Sequence, residues 1–196
     1  MPRRIVIASP KSGRDLDDLA LKIVKSFQPE LLMELRAFDI ERFFECELET
    51  ITGVKIDYRT LPTGIHGYTD SGTMESVISA ELMEDETQLF FTRSTMSHET
   101  AHALIHVPEF RRKKAILTSV HNAEHGIALR MHRESDVRIY QNPEWQAWRF
   151  AGALLMPRPA LEEAIRRGNG LRDLSRLFNV NPAFIETRLR ALKITL

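Results

Sequence analysis

The sequence predicts an α+β fold: a small twisted β-sheet with helices packed around it and a helical cluster at the C-terminal end. Two observations predict it. Apolar residues recur with a helical period near both ends of the chain, and short alternating apolar–polar stretches lie between them. A chain of 196 residues is long enough for one full hydrophobic core with a small appendage. We therefore expect a main domain with N-terminal helices over residues 1–157 and a helical subdomain packed on it over 158–196.

The first part of the chain is predicted to be helical. Apolar positions between Asp15 and Phe27 share one helix face, and Pro29 ends this helix. A shorter helix is expected over 30–36. Asp39 is the expected N-cap of a third helix.

Strands are predicted next. Gly53 opens a strand over 54–58, where apolar and polar residues alternate. A hairpin is expected between residues 77–82 and 89–92. Residues 109–141 are polar, basic and weakly periodic, which indicates a long irregular segment.

Helices are predicted again toward the C-terminal end. Asn142 as N-cap and Pro143 at the first helical position start a helix that Pro157 ends. Three short helices are expected after it, over residues 159–167, 171–178 and 182–192.

Charge and cysteine content limit the function classes. Lys plus Arg equals Asp plus Glu at 27 each, which gives no indication of a nucleic acid or a membrane as partner. The one cysteine, Cys46, excludes an intrachain disulfide and is interpreted as a packing residue inside a helix. The apolar run Ile5–Ala8 is too short for a signal peptide, and no apolar run reaches the length of a membrane span. We therefore expect a cytoplasmic protein without a membrane partner.

The stretch His98–His102 is the most informative motif, because it has the pattern H-E-x-x-H. Two histidines four residues apart lie on one helix face and suit two corners of a tetrahedral zinc site. Glu99, next to the first histidine, is placed to take a proton from water at the metal. The alternative is a surface helix with two solvated histidines. An apolar stripe argues against that alternative; it consists of Ala101, Leu104 and Ile105.

The context of the motif predicts a strand, a short turn and then the metal helix. Residues 88–92 are expected to be the strand, and Pro108 is expected to stop the helix. Hydroxyl side chains just before the motif are candidate N-caps: Ser94, Thr95 and Ser97.

A catalytic zinc site needs a third protein ligand and an open position. Glu144 is the best placed candidate, in the first turn of a well-capped helix and on the same side as Ala147 and Ala151. These small residues would let that helix approach the Ala101 face of the metal helix. The alternative is that Glu144 only complements the helix dipole. Other downstream carboxylates are Glu109, Glu124, Glu134 and Asp136.

Other histidines compete for the metal. Residues 121–125 fit the inverted motif H-x-x-E-H, but Asn122 and Gly126 weaken a helix there, so we assign them to the polar segment. His106 is interpreted as a second-sphere or packing histidine.

The segments Ser97–His106 and Pro143–Pro157 together resemble the ImmA/IrrE family of zinc-peptidase-like proteins. That family joins H-E-x-x-H to a later helix of pattern E-x-x-A-x-x-F-A-x-x-L-L-M-P, and both parts are present in order. The resemblance covers roughly residues 39–192. Two departures, Thr100-Ala101 between the histidines and Trp148 in place of a frequent Asn, leave the ligands untouched.

The resemblance implies the site and the function. It makes His98, His102 and Glu144 the metal ligands and Glu99 the general base of a zincin-like, gluzincin-type metallopeptidase. The implied cofactor is zinc, with manganese as the alternative. The implied partner is a protein substrate, a helix-turn-helix repressor of a phage, mobile element or stress regulon, which is cleaved or removed from DNA. The oxyanion donor is left open among Tyr140, His106 and Arg138.

Two further hypotheses belong to other classes. One is a metal-dependent module that engages a transcription factor without cutting it. The other is DNA binding through the C-terminal helices, because residues 171–182 resemble a helix-turn-helix in which Asn179 adopts the left-handed turn. Residues 160–196 hold only seven basic against four acidic side chains, so direct nucleic-acid contact is not expected. Their apolar residues more simply form a packing face: Leu174, Leu177, Val180, Ile185, Leu189 and Leu192.

Overall fold

The computed structural model describes residues 3–120 and 128–196. The fold is α+β, as predicted, with helices that surround two small sheets. The strands are β1 (Arg4–Val6), β2 (Lys55–Arg59), β3 (Gly67–Asp70), β4 (Glu75–Ser79) and β5 (Met131–Arg133). The helices before the site are α1 (Gly13–Phe27), α2 (Leu31–Glu34), α3 (Ile40–Arg42), α4 (Leu48–Thr52) and α5 (Ala80–Glu84). The remaining helices are α6 (Leu89–Ala101), α7 (Val107–Val120), α8 (Pro143–Leu155), α9 (Arg158–Arg166), α10 (Leu171–Phe178) and α11 (Pro182–Leu192).

Two helical runs contain a π-helical turn. Phe43–Glu47 is π-helical between α3 and α4, and His102–His106 is π-helical between α6 and α7. The predicted N-cap of the third helix is present, because the Asp39 side chain accepts from the Arg42 N–H at the start of α3. Ser12, for which no cap was predicted, forms a capping box with Asp15 at the start of α1.

The larger sheet has the strand order β2-β4-β3. Strand β2 pairs with β4 in parallel, with Tyr58 opposite Ile78, and β3 pairs with β4 in antiparallel fashion, with Gly67 opposite Ile78. The smaller sheet joins β1 and β5 in antiparallel fashion. The predicted strand over 54–58 is therefore confirmed within one residue.

The predicted hairpin between 77–82 and 89–92 is wrong. The antiparallel partner of β4 is β3, which precedes it, and residues 89–92 form the first turn of α6. A short apolar run fits a strand and a buried helical turn equally well by periodicity. In the structure this run is helical, and Thr92 Oγ1 lies 3.1 Å from two acceptors, the carbonyl of Gln88, four residues earlier, and that of Leu82.

The predicted stop at Pro108 is also wrong, and the segment 109–141 is not irregular throughout. Pro108 is the second residue of α7, just after the π-helical turn, where the Val107 N–H bonds to the carbonyl of His102 five residues back. In a regular helix the proline ring would clash with the carbonyl four residues earlier, and the helix would lose one N–H···O=C hydrogen bond. The wider turn accommodates the proline. Helix α7 then runs to Val120, and later residues of the segment include β5 and two short 3₁₀ turns.

The core lies where α1 and α6 pack against α8. Helix α6 is buried from Thr92 to Ala101, and α8 contributes Ala147, Phe150 and Leu154. The three C-terminal helices lie within one residue of their predicted bounds. Their predicted packing face is confirmed, because the following residues are buried in the core or packed against it: Leu174, Leu177, Val180, Ile185, Leu189 and Leu192.

Two further observations concern the surface. Cys46 is exposed in the first π-helical turn, so its interpretation as a packing residue is wrong. An extra residue per turn shifts the buried face of a helix, which a regular helical period does not anticipate. Among the residues that the structure describes, no helix is both long enough and apolar enough to cross a membrane.

Candidate functional site

The two histidines of the motif lie close together on one helical run. His98 is in α6 and His102 begins the π-helical turn. Their Nε2 atoms are 3.1 Å apart. His98 is buried and His102 is partly buried, so the solvated surface helix considered as the alternative is wrong.

The helix that carries the histidines begins earlier than predicted. It starts at Leu89, so the expected N-cap hydroxyls lie inside it. Ser94 and Thr95 donate instead to carbonyls four residues earlier, those of Phe90 and Phe91. Ser97 Oγ donates to the carbonyl of Ala151 on α8 at 3.4 Å. The prediction of N-caps at these three residues is therefore wrong.

Glu144 is brought to the two histidines by the first turn of α8. Its Oε2 atom lies 3.5 Å from His98 Nε2, and its Oε1 atom lies 3.6 Å from His102 Nε2. The start of α8 is fixed by the predicted N-cap, because Asn142 Oδ1 accepts from the N–H groups of Glu144 and Trp145. The helices approach closely here, since Ala101, Ala147 and Ala151 are fully buried between them.

The other carboxylates considered as ligands are occupied elsewhere. Glu109 accepts hydrogen bonds from Ser9, Lys11 and Lys113. Glu134 accepts from Asn142, and Asp136 accepts from Ser135. Glu124 and the inverted motif over 121–125 lie outside the described residues.

The spacing of the donor atoms fits a tetrahedral metal ion. Metal–ligand bonds of about 2.0–2.1 Å place the ligand atoms of a tetrahedral site about 3.4 Å apart. The two histidine Nε2 atoms are 3.1 Å apart, and each Glu144 oxygen lies near one of them, Oε2 at 3.5 Å from His98 and Oε1 at 3.6 Å from His102. One atom from each of His98, His102 and Glu144 can be chosen so that all lie within 4.8 Å of one another. Two imidazole nitrogens and a carboxylate oxygen form a donor set that suits zinc.

The protonation states also favour cation binding. Burial, and then the neighbouring imidazoles of His106 and His98, hold the pKa of His102 well below its ordinary value. Burial would raise the pKa of Glu144, but the hydrogen bond with His98 and the nearby positive charge lower it to about 2. A neutral imidazole and an ionised carboxylate are the forms that bind metals.

Glu99 follows His98 in α6 and contacts strand β3. Thr69 Oγ1 donates to Glu99 Oε2 at 2.7 Å, and a Cβ atom at Gly67 would lie 3.2 Å from Glu99 Cγ. Burial raises the pKa of Glu99, while the charge of His98 and the bond from Thr69 partly offset that rise. A carboxylate with a raised pKa is a better proton acceptor near neutral pH.

Two aromatic side chains pack against the two histidines of the motif. His106, 1% exposed, places Nδ1 3.1 Å from His102 Nδ1, and its Nε2 lies 3.1 Å from Gln146 Oε1. His106 is therefore a buried histidine in contact with His102, and its role toward a metal stays a prediction. Trp148, 42% exposed, lies against His98 with ring centroids 4.3 Å apart.

Sequence reasoning missed several of these contacts. Thr69, Gln146 and Arg3, whose Nη2 lies 3.2 Å from Glu144 Oε2, carry no motif of their own. Among the oxyanion candidates, His106 uses both ring nitrogens in hydrogen bonds. Arg138 donates to the hydroxyl of Tyr140 at 2.7 Å.

Comparison with known proteins identifies one family. The family described as the IrrE N-terminal-like domain, peptidase family M78, matches residues 78–190. That range begins in β4 and includes His98, Glu99, His102 and Glu144. Searches of curated proteins and of solved structures found no match.

Proposed function

The chain belongs to the IrrE N-terminal-like family of peptidases, and from this premise we propose that it is a zinc-dependent peptidase. His98, His102 and Glu144 hold the metal, and Glu99 is the general base. The observation that carries the proposal is the convergence of two imidazoles and one carboxylate, whose donor atoms lie within 4.8 Å of one another, beside the buried carboxylate of Glu99.

The chain's own residues provide the proton transfer. Zinc, when bound, supplies a Lewis acid for the scissile carbonyl and lowers the pKa of water. The carboxylate of Glu99 takes a proton from the attacking water and passes it to the leaving amine. Thr69 holds Glu99 Oε2, so the carboxylate is oriented before the substrate binds.

Strand β3 offers a surface on which a peptide substrate can lie. The Ser79 N–H donates to the His66 carbonyl. His66 and every second residue after it therefore direct their N–H and carbonyl groups toward β4. The backbone groups of Gly67 and Thr69 therefore point to the outer edge of the sheet, and the Thr69 side chain on the adjoining face contacts Glu99. An extended peptide that paired there would bring its carbonyls to the base. A bond cut in this way lies in an extended segment of the substrate, outside its helices.

We propose a helix-turn-helix repressor as the substrate, the target implied by the resemblance to the ImmA/IrrE family. The cut would fall in a linker or an extended tail of that repressor. Incubation of the purified protein with repressors encoded by neighbouring genes, with and without a chelator, tests this. Cleavage that needs the metal supports the proposal, and intact repressors in both samples contradict the choice of substrate.

The metal ligands are tested by elemental analysis of protein purified without chelator. We expect about one divalent ion per chain, zinc rather than manganese. His102→Ala and Glu144→Ala should lose the ion, whereas Glu186→Gln, a change of an exposed carboxylate, should retain it. Full retention of the metal by Glu144→Ala would refute its role as a ligand.

The alternative of a metal-dependent binding module makes a different prediction for Glu99. Glu99→Gln keeps the shape of the side chain but cannot accept a proton, so metal content should survive while cleavage stops. A biological effect that persists in Glu99→Gln would favour the binding module over the hydrolase.

Direct DNA binding by the C-terminal helices stays the least favoured hypothesis. Leu174, Ile185 and Leu189 are buried, which supports a packing role for α10 and α11. We expect no sequence-specific complex in a gel-shift at about 150 mM salt. A specific complex that Arg176→Ala abolishes would overturn this expectation.

A further inference from the structure

We propose that Gln146 and His106 are positioning residues that fix the tautomer of His102, so that a lone pair on His102 Nε2 faces the metal. This inference rests on the proposed metal site, but the tautomers themselves follow from hydrogen bonds within the protein. A histidine can bind a metal through Nε2 only if its remaining proton is on Nδ1.

The chain of bonds begins at the buried side chain of Gln146. Its Nε2 atom donates to the carbonyls of Ser9, at 2.9 Å, and Tyr140, at 2.8 Å. Carbonyl oxygens only accept, so the end of the amide that meets them is the NH₂ group, and both of its hydrogens are used. The other end, Oε1, then faces His106 and can only accept. The two carbonyls thus set the orientation of the amide.

The orientation of Gln146 determines where the proton of His106 lies. Gln146 Oε1 is 3.1 Å from His106 Nε2, so this nitrogen carries the hydrogen. His106 is 1% exposed and its nitrogens contact an amide and another imidazole, surroundings that favour the neutral ring with a single proton. Its Nδ1 atom is therefore an acceptor.

His106 in turn determines where the proton of His102 lies. His106 Nδ1 lies 3.1 Å from His102 Nδ1, and because the first can only accept, the second donates. His102 then carries its proton on Nδ1 and has a lone pair on Nε2. That atom lies 3.1 Å from His98 Nε2 and 3.6 Å from Glu144 Oε1, within the donor cluster.

His98 is held in a different way. Its Nδ1 atom is buried and has no hydrogen-bond partner in the part of the chain that the structure describes. Its ring is instead held by contact with Trp148. The hydrogen-bonded tautomer control therefore acts on His102, and the two ligands should respond differently to changes at Gln146.

Nitrogen NMR of metal-free protein labelled with ¹⁵N-histidine tests the tautomers directly. Long-range ¹H–¹⁵N correlations near neutral pH should show His106 protonated on Nε2 and His102 protonated on Nδ1. A His102 ring protonated on Nε2 would overturn the proposal. Because this readout needs neither metal nor activity, it holds even if the chain proves not to be a zinc peptidase.

Gln146→Leu tests the consequence for metal binding. The variant removes the acceptor for His106, so we expect a mixture of His102 tautomers and zinc affinity about 10–100-fold lower in competition with a chromophoric chelator. The matched control is Gln28→Leu, which removes another buried amide, bonded to Ala37 and Asp39. It should lower the melting temperature without changing zinc affinity or the His102 tautomer. Unchanged affinity and an unchanged tautomer in Gln146→Leu would refute the proposal.

Discussion

Replacement of Glu109 by glutamine should lower the stability of the protein by roughly 2 kcal/mol at neutral pH. The Glu109 carboxylate is buried at the start of α7 and joins this helix to the N-terminal segment. Its Oε1 atom accepts from Ser9 N at 2.6 Å, Ser9 Oγ at 2.9 Å and Lys113 Nζ at 2.5 Å, and its Oε2 atom accepts from Lys11 Nζ at 3.4 Å. Glutamine keeps an acceptor for Ser9 but leaves two lysines without a counter-charge.

The magnitude follows from the pKa of this carboxyl. Burial would raise the pKa of Glu109, but bonds from Lys113 and Ser9 lower it from 4.5 to about 2. That difference corresponds to at most about 3 kcal/mol. Lys11 and Lys113 are 26% and 35% exposed, so solvent screening reduces the figure to roughly 2 kcal/mol. Because the folded pKa lies below the unfolded one, this stability is present above about pH 4.5 and is lost as the pH falls toward 2.

Thermal denaturation of metal-free protein at pH 7 and pH 3 provides the assay. The melting temperature of Glu109→Gln should be roughly 4–8 °C below that of the unmodified chain at pH 7. The difference in stability should fall by about half at pH 3. Glu162→Gln, which removes an exposed pair with Arg158, is the control and should change stability by less than about 0.5 kcal/mol. An equal difference at both pH values would refute the linkage, and no difference at pH 7 would refute the energetic role.

Three further predictions concern other parts of the molecule. Gly67→Val should reduce peptidase activity at least tenfold, measured with a cleaved repressor, because a Cβ atom would lie 3.1 Å from the Val77 carbonyl and 3.2 Å from Glu99 Cγ. Asn142→Ala should cost about 1 kcal/mol of unfolding free energy in urea, since it removes the N-cap of α8; an unchanged midpoint would contradict this. Exposed Cys46 should react with a thiol reagent in native protein as fast as in urea; strong protection would contradict its exposure.

Helices with a long apolar period and clear end signals could be predicted from the sequence. Helix α8 has an asparagine cap, a proline at its first position and an apolar face, and all three signals agree with its tertiary surroundings. The sequence signals at residues 89–92 are weaker. A run of four residues is too short for the spacing of its apolar positions to distinguish a strand from a helix. The helix end predicted at Pro108 was wrong for a related reason. Whether a proline ends a helix depends on the width of the preceding turn, and the spacing of apolar residues does not show that the turn before Pro108 is π-helical.

Some residues of the candidate site could likewise be predicted from the sequence and others could not. His98 and His102 share a helix face, so their proximity follows from local geometry. Glu144 could be proposed because the capped helix start and the small residues on its face were readable. Thr69 and Gln146 could not be proposed. Thr69 contacts Glu99, which is 30 residues away in the sequence, and Gln146 contacts His106, which is 40 residues away. Contacts between distant segments depend on how whole elements pack.

The π-helical turn His102–His106 has a consequence for the tolerance of the chain to length changes. It holds one residue more per turn than an α-helix, so it rotates α7 about the common axis by roughly 100° relative to α6. This offset lets α6 face α8 while Glu109 and Lys113 on α7 face the N-terminal segment. Deletion of one residue here would restore a regular helix and turn Glu109 away from Ser9. A single-residue deletion within these five positions should therefore break the Glu109–Ser9 contact and lower the stability of the protein.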